Sequence, residues 1–179
     1  MKIKALLSAL LAMAFVCSAV PAFAADPAPA EKPPVLKVGD AVKDFTIEDA
    51  DSKMVTFNTD IKGKAKYTAL IFMNTSCSAC MAEARIMNGL AGENKDLAVY
   101  AILVDARGQQ AAAAYKERNP LPNVKFLIDK DFTIPPVYGY TYTPAMVIVD
   151  KTGKIMESKG GFMASQGEEF AKNMKDMLK

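Results

Sequence analysis

Apolar and polar positions along this chain follow two alternating rhythms. "MVTFN" (54–58) alternates with period two, as a half-buried strand does. "YTALIFM" (67–73) and "LAVYAILVD" (97–105) are unbroken apolar runs, the pattern of strands buried on both faces of a sheet. Between them, "CMAEARIMNGLAG" (80–92) sets Met81, Ala84, Ile86, Met87 and Leu90 near helical spacing, with Gly89 and Gly92 available to end the helix. "QQAAAAYKER" (109–118) predicts a second helix, stopped by Asn119 and Pro120. "VKFLID" (124–129) predicts another strand, and "AMVIVD" (145–150) and "KIMESK" (154–159) flank "KTG" as a hairpin. Ser165, with Glu168 three residues on, predicts a capping box that opens a C-terminal helix. Its Phe170, Met174 and Met177 fall at i, i+4 and i+7, the spacing of a helix laid on a sheet. The order predicts an α/β fold: a central mixed sheet that starts with parallel βαβ units, ends in an antiparallel hairpin, and carries helices on both faces.

The first 34 residues break this pattern. Lys2 and Lys4 form a basic n-region, Ala5 to Val20 an apolar h-region, and "PAFA" an A-x-A cleavage site, so residues 1–24 read as a signal peptide. An uncleaved membrane anchor is the alternative, since the apolar length approaches that of a short span. Lipid attachment at Cys17 is disfavoured by the bulky Phe15 and Val16 before it. "ADPAPAEKPP" (25–34) holds four prolines and reads as an extended linker, which leaves residues 35–179 as one globular domain. The expected location is the periplasm.

Export changes two counts. The net charge of +2 falls to zero, because Lys2 and Lys4 are the only charges before Ala25. No basic patch then argues for nucleic acid. Of three cysteines, Cys17 leaves with the signal, so Cys77 and Cys80 must pair with each other or with a partner molecule.

"NTSCSAC" (74–80) places those two cysteines at the junction between a buried strand and a helix. A helix N-terminus carries unpaired N–H groups and partial positive charge, which stabilise a thiolate, so Cys77 is the better nucleophile. Cys80, one turn further in, is placed to resolve a mixed disulfide. Zinc needs about four ligands, and the chain has no histidine, so no metal is expected. A structural staple is a weaker reading, because so short a loop removes little chain entropy. An inert buried pair is disfavoured by the helix N-terminus. Glu83, at i+3 from Cys80, is either a partly buried carboxylate able to accept the Cys80 proton or a solvated helix glutamate offset by Arg85. Pro144 stands directly before a strand, where a cis Thr143–Pro144 bond would turn the chain sharply.

Together these residues resemble the thioredoxin-like superfamily, and within it the exported TlpA/ResA/CcmG-like branch of thiol-disulfide oxidoreductases. The resemblance runs over nearly all of 37–178: "KVGDAVKDFTIEDADSKMVTF" resembles that branch's opening segment, "KGKAKYTALIFMNTSCSAC" its strand into the active site, and "YGYTYTPAMVIVDKTGKI" its cis-proline strand and hairpin. It implies that Cys77 attacks, that Cys80 resolves, that Thr143 and Pro144 bind substrate backbone, and that Glu83 tunes the site. Three positions depart from the pattern: Ser76 replaces the usual tryptophan, Ala79 the usual proline, and Ile71 the buried aspartate of thioredoxin itself. Losing the tryptophan removes a large apolar recognition surface. Peroxiredoxins share the fold and the opening segment, but their threonine and proline positions hold Asn74 and Leu70 here, with Thr75 one place out. Copper-delivering relatives use a histidine. Among the 11 methionines, Met73, Met81 and Met146 are expected near the cysteines, where core filling is a commoner role than Cu(I) binding.

The function expected is that of a disulfide reductase, monomeric and free of cofactor, acting on client proteins through the Cys77–Cys80 pair and re-reduced by a membrane thiol transporter. An oxidase or isomerase is the enzymatic alternative. A thioredoxin-fold binding module with a passive disulfide is the non-enzymatic one.

Overall fold

The computed structural model describes residues 35–179, so the expected signal peptide and linker lie outside the described residues. Seven strands form one sheet: β1 (Thr46–Asp49), β2 (Met54–Thr56), β3 (Tyr67–Met73), β4 (Leu97–Leu103), β5 (Val124–Ile128), β6 (Ala145–Asp150) and β7 (Ile155–Gly160). Among the described residues, α1 (Ser78–Glu93) joins β3 to β4, α2 (Gln109–Arg118) joins β4 to β5, and α3 (Gly167–Met177) follows β7. The spatial order is β2-β1-β5-β4-β3-β6-β7. β3, β4 and β5 run parallel, while β6 and β7 at one edge and β1 and β2 at the other are antiparallel to their neighbours.

β3 lies at the centre, and all seven of its residues are buried. Because side chains alternate across a strand, Tyr67, Ala69, Ile71 and Met73 enter one apolar cluster, and Leu70 and Phe72 the other. The first cluster also holds Ala84, Met87 and Leu90 of α1, Ala112 and Tyr115 of α2, and Phe170 and Met174 of α3. Both crossovers, β3 to β4 and β4 to β5, step the same way along the sheet, so right-handed connections put α1 and α2 on that face. The opposite face is covered by shorter helical pieces: a π-helical turn at Phe57–Ile61 and a 3-10 turn at Pro135–Tyr138, which supply buried Phe57, Ile61 and Tyr138. Helical elements therefore cover both faces, with very unequal lengths.

Two local expectations are revised, and one strand, β1, adds to the elements expected. The strand read at 54–58 ends at Thr56, and Phe57 opens the π turn instead. The capping box does not form: Ser165 sits inside a 3-10 turn (Ala164–Gln166), and the N-cap of α3 is Gln166 with no side-chain cap bond. β1, "TIED", carries no apolar alternation and is recognisable only from its pairing with β2 and β5.

Candidate active site

The apolar run of β3 ends at Met73, and the next four residues are folded by their own polar groups. Asn74 Oδ1 accepts from the Ser76 amide at 2.9 Å, its Nδ2 donates to the Val104 carbonyl at 3.0 Å, and its own carbonyl accepts from the Cys77 amide at 3.1 Å. Cys77 is the N-cap of α1, in extended conformation, and its Sγ accepts from the Cys80 amide at 3.1 Å. A sulfur thus occupies the place where an N-cap oxygen usually satisfies a first-turn N–H, and the positive end of the helix faces it. The helix begins at Ser78, earlier than its apolar periodicity indicates, because this cap and not the stripe defines its start.

Cys77 and Cys80 are joined as a disulfide. Cys77 is half-buried, and Cys80 is completely buried in the apolar cluster that includes Met73, Ala84 and Met146. Glu83 is buried with them at 1 % exposure, and its Oε2 has no hydrogen-bond partner among the described residues. Burial pushes its carboxyl up to about 7, partly offset by the positive charge of Lys159. The solvated-glutamate reading therefore fails. The Thr143–Pro144 peptide is cis. Ala145 pairs with Phe72 across β6 and β3, which brings Thr143 and Pro144 to the end of β3 from which Cys77 departs. The Pro144 carbonyl accepts from the Gly161 amide at 2.8 Å.

A polar cluster beside the cysteine loop escapes sequence reading. Asp105, at 7 % exposure beyond the end of β4, accepts from the Thr75 hydroxyl, from the Arg107 amide and Nε at 3.0 Å each, and from Arg107 Nη2 at 2.7 Å. Arg107 Nη2 also donates to Thr75 Oγ1 at 3.0 Å. The Arg107 guanidinium, with the Thr75 hydroxyl, holds the Asp105 carboxyl far below the usual carboxylate range. The cluster ties the residue two places before Cys77 to the end of β4. The only signal in the chain is an acid and an arginine, "VDAR", just after a buried strand.

Met73 and Met146 are fully buried, and Met81 Sδ accepts from the Tyr115 hydroxyl at 3.4 Å, so all three serve packing. A surface cavity of about 770 Å³ lies between the β1–β2 loop, Tyr100 and Pro120–Phe126, and no residue of the cysteine loop or of 143–144 lines it. Cys77 lies between the exposed Ser76 and Ser78 at the strand ends, within reach of a partner chain.

Comparison with known proteins agrees with this geometry. The AhpC/TSA family profile matches residues 38–158. The thiol-disulfide oxidoreductase ResA of Bacillus thuringiensis subsp. konkukian is 31 % identical over 142 residues, covering 78 % of this chain and 79 % of its own. That of Halalkalibacterium halodurans is 27 % identical over 141 residues, covering 78 % of each. In fold, the chain resembles a crystal structure described as the thiol:disulfide interchange protein DsbE from Chlorobium tepidum, with TM-score 0.69, 21 % identity, and 80 % of this chain and 99 % of that one covered. A protein disulfide isomerase structure from Bacteroides thetaiotaomicron has TM-score 0.66 at 21 % identity, with 80 % and 91 % covered. These solved structures show a thioredoxin-like fold, and with the family match and the ResA relatives they make the chain a member of the AhpC/TSA family and a thiol-disulfide oxidoreductase.

Proposed function

We propose that the protein is an exported, dedicated disulfide reductase of other proteins, with Cys77 as nucleophile, Cys80 as resolving thiol and Glu83 as the acceptor of the Cys80 proton. The observation that carries this is the placement of a half-buried Cys77 at the helix cap with Cys80 and an unpartnered Glu83 buried behind it. A donor dithiol, expected on a membrane thiol transporter, first supplies two electrons and two protons to the Cys77–Cys80 disulfide. The Cys77 thiolate then attacks one sulfur of a client disulfide, and the client's other sulfur leaves as a thiolate that takes up a proton. Glu83 accepts the proton of the Cys80 thiol. The Cys80 thiolate attacks Cys77 Sγ, re-forms the internal disulfide and expels the reduced client, whose sulfur recovers that proton. Thr143, held before the cis Pro144 at the end of β3 from which Cys77 departs, offers backbone to an extended client segment, and Pro144 shapes that surface. No cofactor takes part, since the cysteine pair itself carries the electrons.

Electrostatics favour this direction over the oxidase alternative. Burial disfavours a thiolate at Cys80, so of the two sulfurs only Cys77, at the helix cap, is stabilised as an anion, and the reduced pair gives up its electrons more readily than one with both thiolates stabilised. The Thr75 hydroxyl, held by Asp105 and Arg107, is committed to the loop, which argues against peroxide activation. Export rests on the N-terminal pattern of residues 1–24, and no helix among the described residues is long and apolar enough to cross a membrane. Cys77→Ser abolishes reduction of insulin disulfides under this reading, while Cys80→Ser accumulates mixed disulfides through Cys77. Wild-type activity in Cys77→Ser, or capture through the wrong cysteine, overturns it.

A further inference from the structure

Glu83 is buried on the α1 face of the sheet, where the cluster is apolar, and among the described residues Lys159 is the cation whose charge bears on it. The strands beneath α1 present Ala69, Ile71 and Met73 (β3), Val99, Ala101 and Leu103 (β4), and Met146 and Ile148 (β6). From α2 comes the Tyr115 hydroxyl, already given to Met81 Sδ. From α3 come Phe170 and Met174, while Glu168 and Glu169 in its first turn are exposed, as is Arg85 on α1 itself.

β7 supplies the exception. Lys159 pairs with Met146 across β6 and β7, and Met146 pairs with Ile71 across β6 and β3. Paired residues share a face of the sheet, so the Lys159 side chain lies on the face that α1 and α3 cover. Its Nζ sits 5.1 Å from the centroid of the Phe170 ring, and the residue is half-buried. A lysine stem laid over an aromatic ring with its charge at the rim is a common surface arrangement. Here the same ammonium acts on a buried carboxylate that has an unpaired oxygen.

We propose that Lys159 is the counter-charge of Glu83 and, through it, a positioning residue for proton transfer at Cys80. The inference rests on the proton-acceptor role of Glu83 given above. By favouring the ionised carboxylate, Lys159 keeps a fraction of Glu83 able to accept a proton near neutral pH, where burial alone would leave it protonated. Contact with Phe170 is a packing role, and it predicts no effect that depends on Glu83.

The test is the pH titration of the Cys80 Cβ and Glu83 Cδ chemical shifts by NMR in reduced wild type, Lys159→Met, Lys159→Arg, Glu83→Gln and the Glu83→Gln/Lys159→Met double variant, which reads a buried thiol without reagent access. Methionine keeps the apolar stem, and arginine restores the charge. Lys159→Met is expected to move the Glu83-dependent inflection upward by about half a pH unit or more, Lys159→Arg to restore it, and the double variant to match Glu83→Gln. If Lys159→Met shifts the profile equally with and without Glu83, or leaves it in place while Glu83→Gln changes it, the Lys159 proposal is overturned alone. If Glu83→Gln leaves the Cys80 profile unchanged, the Glu83 reading falls and this proposal with it.

Discussion

Glu83→Gln separates a titrating buried carboxyl from a neutral group of the same shape. Burial raises the Glu83 carboxyl from its usual value of 4.5 to about 7. Between those values the native state binds a proton that the unfolded chain does not, so stability falls as pH rises across that window and levels off above it. At about 1.36 kcal/mol per pH unit, the full loss is about 3 kcal/mol, of which about 2.5 kcal/mol falls between pH 5 and 8. Glutamine cannot titrate and lacks this component. The assay is urea unfolding of the oxidised protein at pH 5, 6, 7 and 8, reading the difference in unfolding free energy between wild type and variant. Other carboxyl groups cancel in that difference. The glutamine variant is expected to gain about 2.5 kcal/mol relative to wild type from pH 5 to 8, whatever its offset at pH 5. Parallel curves would refute the claim that Glu83 is buried and unpartnered in the native state.

Arg107→Ala strips two of the four donors to Asp105, with the Nη2 bond to Thr75, and leaves the Thr75 hydroxyl and a backbone amide, so a loss of about 1–3 kcal/mol is expected in denaturant unfolding at pH 7. A double-mutant cycle with Asp105→Asn should show coupling, and additive losses would show that the two side chains do not act together. Because the Asp105 carboxyl titrates below its unfolded value, its contribution persists above about pH 4 and disappears only in more acid solution. Gly160→Ala places a methyl group against the Tyr142 hydroxyl and 2.8 Å from the ring of Tyr140, whose hydroxyl hydrogen-bonds the Ser158 hydroxyl at 2.8 Å. Overpacking of about 1–3 kcal/mol is expected by the same assay, and an unchanged unfolding midpoint would mean that the tyrosines yield freely.

What was legible in the chain follows from where the physics is local. β3 and β4 are unbroken apolar runs because both of their faces are covered, and α3 shows its stripe because one face only is buried. Cys77 and Cys80 could be placed because a strand–helix junction is itself a sequence feature. β1 was not legible, since "TIED" is an edge-side segment whose strand character comes from pairing with β2 and β5. The Ser165 box failed because a 3-10 turn took up those residues before α3 began. Glu83 was readable as a candidate but its burial was not, because the apolar cluster on the α1 face draws also on β6 and α3, more than 60 residues further on. Asp105 and Arg107 join Thr75 across about 30 residues, a contact that no local period announces.

The measurement that bears most directly on the reductase assignment is the equilibrium reduction potential of the Cys77–Cys80 pair, titrated against a dithiothreitol couple and read from the fraction of free thiol. A value near or below about −250 mV is predicted, because burial denies Cys80 the thiolate stabilisation that would make the pair an oxidant. A value near about −120 mV would contradict the account and identify a catalyst that introduces disulfides.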